Sequence, residues 1–238
     1  KVEILRREIQ EKYTEVADSP ELTFHFHHGL PLAKILEYPE GLLTGLPPEA
    51  VESFAGVGNP FSVGEIAPGE TVLDIGSGCG FDCMIAGGLV GPTGKVIGVD
   101  MTPEMVTRAR ANARKGGYTN VDFRLGEIES LPVADATVDA IISNCVLNLS
   151  PERDRVLGEA LRVLKPGGRL VISDLVCDVP IPEQLREEAE AVTACLPVER
   201  EAYVSQLRAA GFVDVRISAG QRYPREALSS TPIGKKLA

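Results

Sequence analysis

The chain lacks any apolar run approaching the roughly 20 residues needed to span a bilayer. Its start, Lys1-Val-Glu-Ile-Leu-Arg-Arg-Glu-Ile9, reads as a charged amphipathic helix rather than a signal sequence. A cytoplasmic protein with no membrane partner is therefore expected. Basic residues are short as well: 24 Lys and Arg stand against 34 Asp and Glu, for a formal charge of −10. Phosphate backbones are met by clustered Lys and Arg, which are missing here, so nucleic acid is set aside and a small-molecule substrate is expected. Five cysteines in 238 residues make no disulfide framework in a cytosolic chain, and each reads as buried filler, reactive thiol or ligand. Internal repeats and low-complexity segments are absent. With 44% apolar residues, a chain of this size can bury roughly 70% of its unfolded surface, enough for one self-sufficient domain with additions at each end.

What is present is concentrated in residues 71–80, Thr-Val-Leu-Asp-Ile-Gly-Ser-Gly-Cys-Gly. An apolar, β-branched run ends in Gly76, Gly78 and Gly80 and gives way to a helical pattern, so a strand turns sharply into a helix with its backbone bare, a nucleotide-sized ligand site. The next apolar run, from Lys95, ends in Asp100, a carboxylate at the carboxyl end of the neighbouring strand that can accept both ribose hydroxyls. Dinucleotide loops place a further small residue where this chain has Phe81, so no pyrophosphate cradle is implied. Strands are expected near 71–75, 95–99, 121–125, 138–143 and 168–174, and helices near 80–90, 103–115 and 151–164. That alternation means a parallel sheet with right-handed crossovers. A helix over 1–18 is expected to cap the site, and Leu46-Pro-Pro-Glu-Ala-Val51 to form a short helix in an otherwise Pro- and Gly-rich stretch. After Pro180 a charged helix to about Cys195, a helix over 199–210 and a strand from Val213 are expected, and no last strand is visible in the tail 221–238.

The glycine loop resembles the cofactor loop of class I S-adenosylmethionine methyltransferases over roughly Thr71 to Asp178. The fold this implies is α/β, a doubly wound Rossmann-like parallel sheet with an N-terminal cap and linker (1–65), a cofactor-binding core (66–180) and a C-terminal helical addition (181–238) within the same domain. The resemblance implies S-adenosylmethionine as cofactor. Gly76, Gly78 and Gly80 would make room for its amino-acid end, and Asp74 would bind its ammonium or tie down the loop. Asp100 would take the ribose, Met101 would pack on the adenine, Glu127 and Ile128 would lie near the adenine amino group, and Asn144 would face the methionine moiety. Solvation is the alternative for the Glu127 charge, since acidic side chains are mostly exposed.

Several pieces are similar to arsenite methyltransferases: Gly80-Phe-Asp-Cys83, Gly98-Val-Asp-Met-Thr-Pro-Glu-Met105, Gly126-Glu-Ile-Glu129 and Ser143-Asn-Cys-Val-Leu-Asn-Leu-Ser-Pro151. Trivalent arsenic is soft and takes thiolates, and a three-coordinate arsenic keeps a lone pair free to attack a methyl group. Cys145 and Cys195 match two of the three cysteines that family uses. The third belongs in a Gly-Cys-Gly-Asn-Pro segment that reads Gly56-Val57-Gly58-Asn59-Pro60 here, so a methylarsenical is favoured over inorganic arsenite as substrate. No resident metal is implied. A small thiol or selenol acceptor, a carbon- or oxygen-methylating enzyme, and a non-catalytic cofactor- or metalloid-binding module stay open. All three histidines fall in Phe24-His25-Phe26-His27-His28; if that segment is extended, His25 and His27 share one face, where neutral imidazoles suit removal of a thiol or selenol proton. Solvated loop histidines are the alternative. Cys79, Cys83 and Cys177 read as packing, although Cys79 sits at a helix start, where a thiolate is favoured.

Overall fold

Residues 7, 10, 11, 14, 28–180 and 197–218 are described by the computed structural model. Cys195, His25 and His27 lie outside these residues, as do most of the helix expected over 1–18, the charged helix after Pro180 and the tail. From residue 28 the described chain runs first through three short helices, α1 (Gly29–Ile35), α2 (Glu40–Leu43) and α3 (Pro48–Glu52). Pro48 stands at the start of α3, where its missing N–H leaves no helical bond unmade. Strands and helices then alternate: β1 (Thr71–Ile75), α4 (Phe81–Val90), β2 (Lys95–Asp100), α5 (Pro103–Lys115), β3 (Val121–Leu125), β4 (Val138–Asn144), α6 (Arg153–Val163) and β5 (Leu164–Ser173).

All five strands pair in parallel, in the order β3-β2-β1-β4-β5. Strand side chains alternate between faces. Leu73, Ile75, Ile97, Val99 and Ile141 pack with Val156, Leu157, Ala160 and Val163 of α6. Val72, Val96, Ala140 and Ile142 pack with Cys83, Ala86 and Val90 of α4 and with Val106, Ala109 and Ala113 of α5. Because helices cover both faces, β1 reads as a continuous apolar run broken only by Asp74. The strand order reverses between β1 and β4, and a ligand crevice opens beyond the carboxyl ends of the strands at such a reversal.

A third layer explains why α4 is apolar on almost every side. Its outer residues Phe81, Met84 and Ile85 pack under Leu32, Ala33, Leu36, Tyr38, Leu46, Ala50 and Phe54. Phe54 stacks on Phe81 with ring centroids 4.1 Å apart, and Tyr38 meets Phe54, Phe61 and Phe81 edge-on. The stretch that composition marks as linker is thus a packed cover, with α1 and α2 in addition to the expected α3.

Beyond the sheet, β6 (Val176–Cys177) and β7 (Val198–Glu199) form a two-residue parallel ladder, and α7 (Arg200–Ala210) packs through Leu207 and Ala210 on the α6 side. Two expectations shift. The strand expected to start at 168 begins at Leu164, which pairs with Val138 ahead of a register break. Of the strand expected over 213–219, the described residues 213–218 join no ladder among the described residues, and Asp214, at φ +52°, turns the backbone out of the extended region.

Candidate functional site

Three side-chain oxygens among the described residues are buried without a hydrogen-bond partner: Ser77 Oγ, Ser143 Oγ and Asp174 Oδ1. All three lie toward the carboxyl ends of the strands, in the loop after β1, next to last in β4 and just after β5. Buried polar groups are otherwise paired as a rule, so this edge is where a ligand has bonds to complete.

The loop after β1 has the shape expected of it. Gly76, Gly78 and Gly80 have φ of +74°, +51° and +90°, in the left-handed region that suits glycine. Gly76 has a steric reason as well, since a Cβ there would come within 2.3 Å of Val146 Cγ2. The loop is pinned to β2: the amides of Gly76 and Ser77 donate to the Val99 carbonyl, and that of Gly78 donates to Asp100 Oδ2 at 2.9 Å. The other oxygen of Asp100 accepts from the Thr102 amide at 2.9 Å.

Three carboxylates converge behind this loop. Asp74 ends on the α4 side of β1, Asp82 stands in the first turn of α4, and Asp100 closes β2. Asp74 and Asp82 are buried by the surrounding side chains, and among the described residues none of the three forms an ion pair. Burial, reinforced by the Asp82 charge, holds the Asp74 carboxyl well above its ordinary range. Burial lifts Asp82 to about 6 against the pull of its two donors, and it also raises Asp100. A ligand bringing positive charge would let these groups ionise, whereas a pyrophosphate would meet three like charges. S-adenosylmethionine, with its sulfonium, ammonium and ribose diol, fits that donor set.

Sequence reasoning missed Asp82 and Tyr38, and it did not join Asn144 to them. Tyr38 donates its hydroxyl to Asp82 Oδ1 at 2.8 Å, and Asn144 donates to Asp82 Oδ2 at 3.1 Å. The Asn144 carboxamide is filled within the protein: its Oδ1 accepts from the Val57 and Gly58 amides at 2.9 and 3.3 Å, and its Nδ2 also donates to the Gly58 carbonyl at 2.8 Å. A detectable signal was present in Phe81-Asp-Cys-Met-Ile-Ala86, one acid inside an otherwise apolar helix start.

Past Asn144 the backbone turns at Cys145, a non-glycine residue at φ +62° whose amide donates to the Ser173 carbonyl at 2.8 Å. Such a conformation costs roughly 1–2 kcal/mol and is retained where surrounding structure fixes it. The Gly56–Gly58 loop lies against the same strand ends, since a Cβ on Gly56 would come within 2.7 Å of the Asn144 carboxamide and one on Gly58 within 2.8 Å of Ser173 Cβ. Between them, the Val57 amide donates to Asn144, the residue that precedes Cys145. Asp174 follows β5 on this edge. Tyr203 donates to its Oδ2 at 2.8 Å, the Arg153 guanidinium stacks on that tyrosine ring, and burial lifts the carboxyl to about 7.

Other expected positions are placed as follows. Met101 is half-buried, and its carbonyl accepts from Gln10 Nε2 at 3.1 Å, while Thr14 donates to Glu104 at 3.2 Å, so two residues of the N-terminal helical segment reach the end of β2 and the start of α5. Glu127 is exposed and bridges to Ser130, whereas Ile128 is half-buried against the α6 side of the core. Cys79 and Cys83 are packing residues. Burial raises the Cys79 thiol, overriding its position at a helix start, and the Cys83 thiol donates to Asp74 Oδ2 at 3.2 Å.

Residues 66–219 match the family model described as a methyltransferase domain. The chain is 52% identical over 167 residues to an arsenite methyltransferase of Halobacterium salinarum, a match that covers 68% of this chain and 42% of that protein. It is 42% identical over 174 residues to an arsenite methyltransferase of Aquipseudomonas alcaligenes, covering 68% of this chain and 50% of that one. The chain thus spans about half the length of these curated relatives, or less. The crystal structure of an arsenic(III) S-adenosylmethionine methyltransferase from Chlamydomonas reinhardtii superposes with a TM-score of 0.68 at 36% identity, over 80% of this chain and 68% of that chain.

Proposed function

The chain belongs to the class I methyltransferase family, and from that premise we propose that it moves a methyl group from S-adenosylmethionine to a trivalent methylarsenical held by cysteine thiolates. The observation that carries this reading is the strained turn that presents Cys145 at the carboxyl ends of β4 and β5, one residue from Val146, whose side chain closes on Gly76 of the cofactor loop. The donor loop and the acceptor cysteine are therefore adjacent. Similarity to the arsenite methyltransferases supports arsenic as the acceptor element.

Bound S-adenosylmethionine supplies an electrophilic methyl on a sulfonium. The chain supplies the rest by placement. Gly76, Gly78 and Gly80 admit the amino-acid end, Asp74 faces its ammonium, Asp100 takes the ribose hydroxyls, and Met101 and Ile128 flank the adenine with Glu127 at the rim. Cys145, with Cys195 as second ligand, holds arsenic so that its lone pair meets the methyl carbon. Alignment of two bound reactants with water excluded can supply about 7–11 kcal/mol of barrier reduction, so no strong acid or base is required. The segment 1–65 serves as cap and linker, 66–180 as the cofactor-binding core and 181–238 as an addition to the same domain. A cap role for His25 and His27 rests on the sequence alone.

Val57 favours one second reading. With a valine where the family has a thiol, the enzyme methylates a small thiol or selenol, and Asp174 or the cap histidines take its proton.

The test is S-adenosylhomocysteine release on incubation with S-adenosylmethionine and methylarsonous acid, inorganic arsenite or a panel of small thiols. Methylarsonous acid is expected to be the best acceptor, with turnover falling at least tenfold in Cys145→Ser while cofactor affinity stays within threefold. Unchanged methylarsonous acid turnover in Cys145→Ser sinks the thiolate assignment. Tight cofactor binding without release on any acceptor would make the protein a binding module.

A further inference from the structure

The Gly56–Gly58 loop belongs to no helix or strand, yet two of its amides and one carbonyl are held by a single carboxamide, that of Asn144. The second N–H of this carboxamide donates to Asp82, and its nitrogen lies 3.1 Å from the Tyr38 hydroxyl, which reaches Gly58 O at 3.2 Å as well. Asp82 lies two residues past Gly80, at the start of the helix that the cofactor loop feeds, and it is close enough to Asp74 for their charges to repel. One end of this chain of bonds is thus set against the cofactor pocket. The other end fixes the loop beside Cys145.

Resting on the methyltransferase reading above, we infer that Tyr38, Asp82 and Asn144 are positioning residues, forming a strut through which cofactor occupancy tightens the Gly56–Gly58 loop and raises affinity for the acceptor. Positive charge entering beside Asp74 relieves the repulsion that an ionised Asp82 would meet. Hydrogen bonds to a charged carboxylate are shorter and roughly twice as strong as neutral ones, so both of its donors are drawn in. Asn144 carries Val57 and Gly58 with it by their amides. Because coupling between sites is reciprocal, the acceptor must raise cofactor affinity by the same factor.

The first measurement needs no acceptor. In the full chain, amide exchange at Val57 and Gly58, followed by NMR, is expected to slow at least tenfold on saturation with S-adenosylhomocysteine, and by less than twofold in Asp82→Asn. Tyr38→Phe keeps the aromatic packing and removes only the hydroxyl, so it serves if Asp82→Asn unfolds, and the same loss of response is expected. The second measurement is the affinity of phenylarsine oxide with and without S-adenosylhomocysteine: at least fivefold tighter with it in the wild type, and under twofold in either variant, with each ligand's separate Kd in Tyr38→Phe within about threefold of wild type. That split between coupling and separate affinities is one that a merely structural role would not produce. Exchange at Val57 and Gly58 that ignores the cofactor in the wild type, or a response that survives in both variants, overturns the strut. If phenylarsine oxide does not bind while exchange responds as described, the arsenical reading fails and the strut stands. If S-adenosylhomocysteine does not bind at all, both fail.

Discussion

Replacing Gly76 with alanine tests how tightly the two halves of the site are fitted together. Its backbone lies at φ +74°, which costs an L-residue roughly 1–2 kcal/mol. The new methyl would also lie 2.3 and 2.7 Å from the two Val146 methyls and 3.0 Å from its Cβ. Rotating the valine cannot clear a contact with its own Cβ, so the backbone on one side has to move, and overpacking of this kind costs typically about 1–3 kcal/mol. Gly76→Ala is therefore expected to lose about 3 kcal/mol of stability and at least tenfold in S-adenosylhomocysteine affinity. Trimming the partner separates the two terms. In the Val146→Ala background both methyl contacts vanish while the backbone term and the 3.0 Å contact with Cβ stay, so the Gly76→Ala penalty should shrink by about 1 kcal/mol, a coupling of the size expected for touching residues. Urea unfolding of the four proteins without cofactor gives the cycle, and calorimetric titration gives the affinities. A Gly76→Ala protein within about 0.5 kcal/mol of wild type, or an equal penalty in both backgrounds, would refute the fit between the donor loop and the turn that bears Cys145.

Asp100→Asn removes a carboxyl that holds the Gly78 and Thr102 amides; at about 1.5–3 kcal/mol for a bond from the ribose to a carboxylate that ionises on binding, S-adenosylhomocysteine affinity should fall about 10- to 100-fold by calorimetry, and an unchanged Kd sinks the ribose assignment. Val57→Cys sets a thiol on the loop bonded to Asn144, so inorganic arsenite should bind at least tenfold tighter and become a measurable acceptor; arsenite affinity equal to wild type places the loop too far from Cys145. Asp174 has a folded pKa of about 7, above its value near 3.9 in an unfolded chain, so the unfolded state loses this proton first and stability falls as pH rises from about 4 to about 7. Asp174→Asn removes that dependence: by urea unfolding it should gain on the order of 4 kcal/mol over wild type at pH 8 and almost nothing at pH 4, and equal differences at both pH values would show that the carboxyl is not buried in its neutral form.

The sheet was legible because its strands are buried on both faces and carry their signal as continuous apolar runs, Thr71–Ile75, Lys95–Asp100 and Val138–Asn144. The donor loop was legible because the left-handed turn restricts its residue types to glycine. What escaped was set by tertiary contact. Helices of seven and four residues, as in α1 and α2, are too short to be stable alone and form because the α4 surface needs a cover, so their residues read as linker. Tyr38 and Asp82 are 44 residues apart, with no spacing rule to join them. The alternation Val213, Val215, Ile217 reads as a strand, but a strand needs a partner, and Asp214 turns away from the ladder geometry. Asn144 shows a subtler limit: its place at the end of β4 was legible, but its polar contacts run to Tyr38 of the cover, to Val57 and Gly58 of the loop and to Asp82 of α4, all within the protein.

The placement of charge within the site follows from what the proposed reaction does to charge. The cofactor enters with a sulfonium and leaves as a neutral thioether, so any carboxylate set against the sulfur would hold the reactant more firmly than the transition state and slow the transfer, because only interactions that strengthen toward the transition state raise the rate. Carboxylates are useful only against the charges that persist, the ammonium, and against the ribose hydroxyls. The structure divides the crevice in that way. Asp74, Asp82 and Asp100 gather on the β1, α4 and β2 side, while the β4 side closes with Cys145 and the Val146 side chain, and the Gly56–Gly58 loop presents Val57. A valine beside the acceptor therefore does more than leave out a ligand. On the proposed reading it adds no charge of its own there, so a sulfonium losing its charge meets nothing from residue 57 that the transition state would have to give up.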